Sequence, residues 1–299
     1  MTNRILLLLT LVGISVAVGQ PKTDDTHIVI ETRKTALVIR VDKDQNPTLV
    51  HLGQRLSRPD EYARIPGNGK RGEDYTGIYN SVYTPAGSRN LLEPAIQVTH
   101  ADGNPSLDLR YVRHEAKPAG AGAVLTTVYL KDPQYPFDVT LYYKAYQNED
   151  VIEQWSGIRH TEKKNVTLHK YASANLYIPA QNYYLTHFHG DWANEMNPSE
   201  EPLTEGIKVL DTKLGTRADL FQPPSFLVAL NQPAQESQGE VLAGTLAWSG
   251  NYQIAFEVDP LHNLRMTAGI NPYASAYALA PGKEFTTPAF LFTDRKSVV

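Results

Sequence analysis

Apolar and polar residues alternate along much of the chain, which is the pattern of half-buried strands. The clearest case is residues 137–145, where Phe137, Val139 and Leu141 fall on one face and Asp138 and Thr140 on the other. Similar segments occur at residues 27–32, 36–42, 95–100, 107–114, 124–131, 151–159, 166–173, 226–231, 240–248, 252–258 and 264–270. The pattern predicts an all-β protein: a large antiparallel β-sandwich (supersandwich) with few short helices.

Two segments lack this alternation. Residues 57–92 are rich in Gly and Pro, and residues 197–205 are rich in Glu and Pro. We expect both to be irregular, and a connection as long as the first is more often functional than idle. Neither reads as a linker, so residues 20–299 are predicted to form one domain.

Composition agrees with strands and excludes several functions. The chain has 17 Tyr against 8 Phe and 3 Trp, with 20 Gly and 20 Pro available for turns. Its formal net charge is −4 and its basic residues are scattered, so we expect no nucleic-acid partner. The absence of Cys excludes disulfides, a thiolate zinc site and a thiol nucleophile.

Residues 1–19 have the pattern of a signal peptide. Arg4 supplies a positive charge, and residues 5–18 form an apolar stretch too short for an ordinary membrane span. Ala17 and Gly19 are small residues suited to cleavage before Gln20. We therefore expect a protein exported to the periplasm or the medium, with no membrane association. The alternative is a retained N-terminal anchor.

Candidate chemistry is sparse. His187 and His189 would project from one face of a strand with Asp191 close behind, which raises the possibility of a metal site, but no third ligand is specified. Histidines in strands usually form hydrogen bonds or cover apolar surface, so we predict no metal. Acidic pairs such as Asp60 and Glu61 are more typical of solvated loops, and no catalytic motif is present.

Several motifs resemble, in order, the N-terminal domain of family 36 glycoside hydrolases, which are α-galactosidases. The resemblance is strongest over residues 183–293, and upstream motifs extend it over most of the chain after residue 19. The motifs are residues 100–103 (HADG), 108–111 (DLRY), 151–152 (VI), 190–195 (GDWANE), 239–240 (GE), 248–251 (WSGN), 268–272 (AGINP) and 279–288 (LAPGKEFTTP). The sequence departs from the family at Ala289 and His160, and residues 57–92 do not align residue by residue.

The resemblance implies a β-sandwich that precedes a (β/α)8 barrel, with both catalytic carboxylates in the barrel. This chain has no Lys-Trp-Asp motif of the kind that carries the family's nucleophile. We therefore expect the barrel to lie outside this chain, and we assign no catalytic residue here. The chain alone is expected to be inactive, and the resemblance implies no cofactor.

The resemblance also implies a ligand role for Trp192. In tetrameric members the Trp of the G-x-W-x-x-E motif is associated with the galactose pocket, and Trp192 occupies that position. The alternative is that Trp192 is a core or interface aromatic residue. An acidic residue from the early loop has a similar role in the family, which makes Asp60 a second candidate.

Two functions follow as hypotheses. In the first, the chain is part of a retaining α-galactosidase that acts on α-galactoside oligosaccharides, and it supports a homotetramer and the pocket of a neighbouring barrel. In the second, it is a free-standing secreted carbohydrate-binding or structural β-sandwich protein. The second would need exposed aromatic residues clustered on one sheet face.

Overall fold

The structure, a computed structural model, describes residues 25–67, 77–120, 122–217, 221–235 and 238–295. The predicted signal peptide at residues 1–19 and its cleavage before Gln20 lie outside the described residues. None of the helices in the described ranges is long and apolar enough to cross a membrane.

Strands dominate the described residues. They are β1 (Thr26–Glu31), β2 (Thr35–Val41), β3 (Pro47–Gln54), β4 (Ile96–Thr99), β5 (Arg110–Pro118), β6 (Ala123–Lys131), β7 (Phe137–Tyr146), β8 (Val151–His160), β9 (Val166–Pro179), β10 (Tyr183–Asp191), β11 (Asn194–Leu203), β12 (Gly206–Asp211), β13 (Ser225–Leu230), β14 (Glu240–Leu246), β15 (Tyr252–Val258), β16 (Asn263–Ile270), β17 (Tyr277–Leu279), β18 (Glu284–Thr286) and β19 (Phe290–Arg295). Helix α1 (Pro59–Tyr62) and a 3-10 turn (Gly215–Arg217) complete the described elements.

The first three strands form a small antiparallel sheet in the order β1-β2-β3. Strand β2 is buried on both faces. Leu37 and Ile39 join the main core, whereas Ala36 and Val38 pack with Tyr62 of α1. This continuous apolar strand therefore joins the small sheet to the rest of the domain.

The ten-stranded sheet follows the order β11-β10-β13-β14-β19-β8-β7-β6-β5, and β18 also pairs with β8. All of its pairings are antiparallel. Strand β19, which comes late in the sequence, lies in the middle of this sheet between β14 and β8. The chain must therefore return to the centre of the sheet to complete it.

The six-stranded sheet packs against the ten-stranded one to make the sandwich. Its order is β12-β15-β16-β9-β17, and β4 also pairs with β9. Phe226 of β13 and Phe256 of β15 meet edge to face across the core, with ring centroids 4.8 Å apart. One buried cluster contains inward-facing residues from the three sheets, which is the expected product of period-two alternation.

The predicted all-β antiparallel sandwich is confirmed, and each segment with clear alternation overlaps a strand. One prediction was wrong. Residues 197–205 do not form an irregular segment, because β11 covers most of them and pairs with β10. Its Glu and Pro residues lie on an edge strand, where an apolar face is not required and Pro costs no ladder hydrogen bond if its nitrogen faces solvent.

Candidate functional site

The motif at residues 190–195 forms the tip of the hairpin between β10 and β11. Asp191 pairs with Asn194, so Trp192 and Ala193 make the connection. Ala193 has a φ of 59°, the left-handed conformation that a tight reversal requires. The register shifts by one residue between the pairs His189–Asn197 and Asp191–Asn194, so the extra residue of this β-bulge is on β11, just after the turn.

Gly190, Asp191 and Glu195 each have a structural task at the tip. A Cβ on Gly190 would lie 2.7 Å from the Cα of Glu195, so only glycine allows the two strands to approach this closely. The Trp192 amide donates to Asp191 Oδ1 at 2.7 Å, and the Ala193 amide donates to Glu195 Oε1 at 3.2 Å. The backbone of the turn is thereby fixed by its own side chains.

Trp192 takes no part in that bonding through its ring, and it projects from the tip. Its side chain is 86% exposed, so the interpretation of Trp192 as a core residue is wrong. The tip is supported from below, where the Gly190 amide donates to the Phe221 carbonyl at 2.9 Å. An exposed indole on a braced turn can stack on the C–H face of a sugar and donate its N–H to a hydroxyl.

Other exposed aromatic residues lie on loops at the same end of the sandwich. The Leu246 amide bonds the Pro224 carbonyl, which places the loop after β14 beside the segment that contains Phe221. In that loop the Trp248 ring packs over Gly250, and its Nε1 donates to the Asn251 carbonyl at 3.2 Å. The indole N–H of Trp248 is therefore already bonded to the protein, in contrast with the free-standing ring of Trp192.

His187 and His189 do lie on β10, with ring centroids 6.1 Å apart. His187 Nε2 is 3.3 Å from Glu201 Oε1, and Lys208 Nζ contacts the same oxygen at 2.5 Å. Burial, assisted by Lys208, lowers the pKa of His187, and the bond from Lys208 lowers the pKa of Glu201. Within the described ranges no group of three or more His, Cys, Asp or Glu is placed to hold a metal ion. Glu201 and Lys208 come from other strands, so the sequence around His187 gives no sign of these partners.

Asp60 lies elsewhere, on α1 beside the three-stranded sheet. Its carboxylate is 2.9 Å from Arg64 and 3.9 Å from Arg58, and its side chain is 54% exposed. These arginines are the partners of Asp60 among the described residues, so the structure does not bring Asp60 and Trp192 into contact. Any shared role of the two residues would need a second molecule or a further domain.

The comparisons with known proteins agree with the motif order and with the fold. The family model described as "Glycosyl hydrolase family 36 N-terminal domain" matches residues 45–280. The chain belongs to this family. As a family 36 N-terminal domain, it is 30% identical to alpha-galactosidase AgaA of Geobacillus stearothermophilus over 69% of this chain and 30% of that protein. It is 26% identical to alpha-galactosidase Mel36A of Lactobacillus acidophilus over 90% of this chain and 40% of that protein.

Solved structures show the same fold. A variant of AgaA in complex with raffinose superposes with a TM-score of 0.81 at 23% identity, over 91% of this chain and 41% of that one. The family 36 N-terminal domain described here therefore spans less than half the length of these relatives.

Proposed function

We propose that this family 36 N-terminal domain serves an α-galactosidase that hydrolyses terminal α-galactosides of the melibiose and raffinose type with retention. The carboxylates that cleave the bond would lie in a catalytic barrel outside this chain. The relatives are named alpha-galactosidases, and AgaA has been solved with raffinose, which supports the substrate class. The predicted signal peptide supports export to the periplasm or the medium.

The observation that carries the role of this domain is the braced hairpin tip with an exposed Trp192. A single indole on a protruding turn offers one stacking face and too little else to hold a sugar alone. It suits a pocket that another domain or subunit completes. We propose that Trp192 borders the galactose pocket of a neighbouring barrel in a homotetramer, to which the domain also contributes subunit contacts.

The alternative, a free-standing carbohydrate-binding or structural protein, has less support. That function would need exposed aromatic residues on one sheet face. Among the other exposed aromatic residues of the described ranges, Tyr277 is on strand β17, whereas those on loops are Tyr79, Phe221, Trp248 and Tyr273. The exposed aromatic residues at this end of the domain therefore do not form a binding face on a sheet.

The test joins this chain to the part of AgaA that lies beyond the match and assays an aryl α-galactoside. We expect the joined protein to release galactose with its α configuration, detected by NMR of the anomeric proton. The chain alone should give no turnover above a buffer blank, because a retaining mechanism needs two carboxylates that we place outside it. Turnover by the isolated chain would refute this assignment.

A further inference from the structure

Strand β12 leaves one side open at the edge of the six-stranded sheet. It pairs antiparallel with β15, and the Thr212 amide donates to the Tyr252 carbonyl at 3.1 Å. Because hydrogen-bonded residues alternate along an antiparallel ladder, the backbone groups of Ile207, Val209 and Asp211 point away from β15. No other strand of the described residues pairs with that side.

The side chains of this edge are also unprotected. Ile207 is 51% exposed and Val209 is 40% exposed, and both are on the outer face of the strand. The edge strands of the ten-stranded sheet differ, since β11 carries prolines and β5 carries a bulge and several charges. Proteins usually guard edges in these ways to prevent strand pairing between molecules.

The backbone of β12 and the charges just beyond its two ends are complementary to those of a second copy. If a two-fold axis passes through Val209, each Ile207 lies opposite the partner's Asp211, and both residues have backbone groups free to bond. The same axis places Lys213, just beyond one end of β12, opposite the partner's Glu205, just before the other. Both side chains are exposed, and Lys213 also pairs with Asp211 within its own chain.

We propose that β12 pairs antiparallel with β12 of a second copy of this chain, with Val209 on the two-fold axis. The two six-stranded sheets then continue through the interface, and the ion pairs between Lys213 and Glu205 at both ends set the register. This deepens the part of the proposed function in which the domain assembles with copies of itself. The pairing is isologous, so it closes as a dimer and does not propagate.

The experiment measures the mass of the full chain by sedimentation equilibrium between about 1 and 100 μM. We expect a concentration-dependent dimer, and Val209→Lys should raise its dissociation constant about tenfold or more because two ammonium groups then meet at the axis. Val112→Lys is the matched control, since Val112 is an exposed valine on the distant edge strand β5. It should leave the dissociation constant unchanged.

Charge exchange tests the register. Glu205→Lys and Lys213→Glu should each weaken the dimer, and a mixture of the two proteins should restore it, because opposite charges then meet at both ends. Failure of the mixture to associate would overturn this register. If the chain is dimeric but Val209→Lys has no effect, the β12 interface is wrong while the proposed self-assembly survives. A chain that stays monomeric over the whole range overturns the β12 interface, whereas the pocket role proposed for Trp192 is tested separately by the kinetics of the joined protein.

Discussion

At the scale of single residues, the family motif at positions 190–195 contains residues that shape the turn and one residue that we propose contacts the substrate. Gly190, Asp191 and Glu195 build the turn, since their contacts are with the backbone of the hairpin. Trp192 is the aromatic residue of the motif, and the turn presents its ring to solvent. Loss of a supporting residue should therefore change the shape of the tip, whereas loss of Trp192 should remove a contact and leave the tip intact.

The role proposed for Trp192 can be measured in the protein that joins this chain to the catalytic part of AgaA. Trp192→Ala should chiefly raise KM, because a stacking contact stabilises the bound substrate and the transition state alike. The loss of about 0.5–1.5 kcal/mol beyond buried area corresponds to a several-fold fall in kcat/KM. The measurement is steady-state kinetics on raffinose.

Trp248→Ala is the matched control for that experiment. Trp248 is a second exposed tryptophan at the same end, but its ring lies against Gly250 and its N–H is bonded to Asn251. Its loss should leave KM unchanged. Equal effects of both substitutions, or unchanged kinetics for Trp192→Ala with assembly intact, would contradict the pocket role.

Glu257 on β15 makes a contribution to the free energy of unfolding that depends on pH. Its carboxylate accepts the Glu93 amide at 3.0 Å, and burial raises its pKa above the usual value of 4.5. The folded state therefore holds the proton more tightly than the unfolded state does. The stability contributed by the protonated form is fully present below about pH 4.5 and is lost as the pH rises through the folded pKa.

Glu257→Gln should therefore raise the free energy of unfolding at pH 7, and the gain should shrink as the pH is lowered towards about 4. The amide oxygen of Gln can still accept the Glu93 amide. Urea unfolding at several pH values measures the difference, and Glu149→Gln at an exposed position serves as the control. A Gln variant less stable than the parent at both ends of this range would disprove the account.

At the scale of elements, the position of β11 at a sheet edge explains why residues 197–205 were wrongly predicted to be irregular. Strand β11 has Pro198 opposite Phe188 and Pro202 opposite Tyr184, and most of its side chains are at least partly exposed. An edge strand of this kind needs neither alternation nor a full set of amides, so its sequence resembles a loop. Alternation of apolar and polar residues arises when one face of a strand is buried, and the side chains of β11 are exposed or only partly buried.

Strand β12 is the opposite kind of edge. Ile207 and Val209 have the composition of a strand, yet they face solvent in the isolated domain. The same β-branched residues on a central strand would need no explanation. On an edge strand their exposure does need an explanation, and the β12 pairing that we propose explains it by covering that edge.

At the scale of the whole molecule, β19 connects two parts of the domain. Strands β11, β10, β13 and β14 lie on one side of it and β8, β7, β6 and β5 on the other. Phe290 and Phe292 are fully buried, and the Thr293 hydroxyl donates to the Asp150 carbonyl at 2.6 Å. The match to the family model, residues 45–280, does not include this strand.

A chain that ends at Pro288 should therefore fail to fold cooperatively, because β14 and β8 would both lose their partner along the core of the sheet. Thermal unfolding followed by circular dichroism measures this. Phe292→Ala is the matched variant, since it keeps the backbone of β19 and should lose about 3–5 kcal/mol of stability while still melting cooperatively. A chain ending at Pro288 that melts cooperatively at the parent temperature would contradict the role of β19.

The sequence by itself determined the class of fold and most of the strands, because burial on one face imposes a period of two that is legible locally. It also determined the family, because motif order survives where single positions do not. Only the tertiary structure decided that β19 lies at the centre of its sheet, that β11 is a strand, and that Trp192 stands free while Trp248 is bonded. All three features depend on which strands and loops come together in space. Two segments that are far apart in the sequence carry no periodic pattern that shows they will be neighbours.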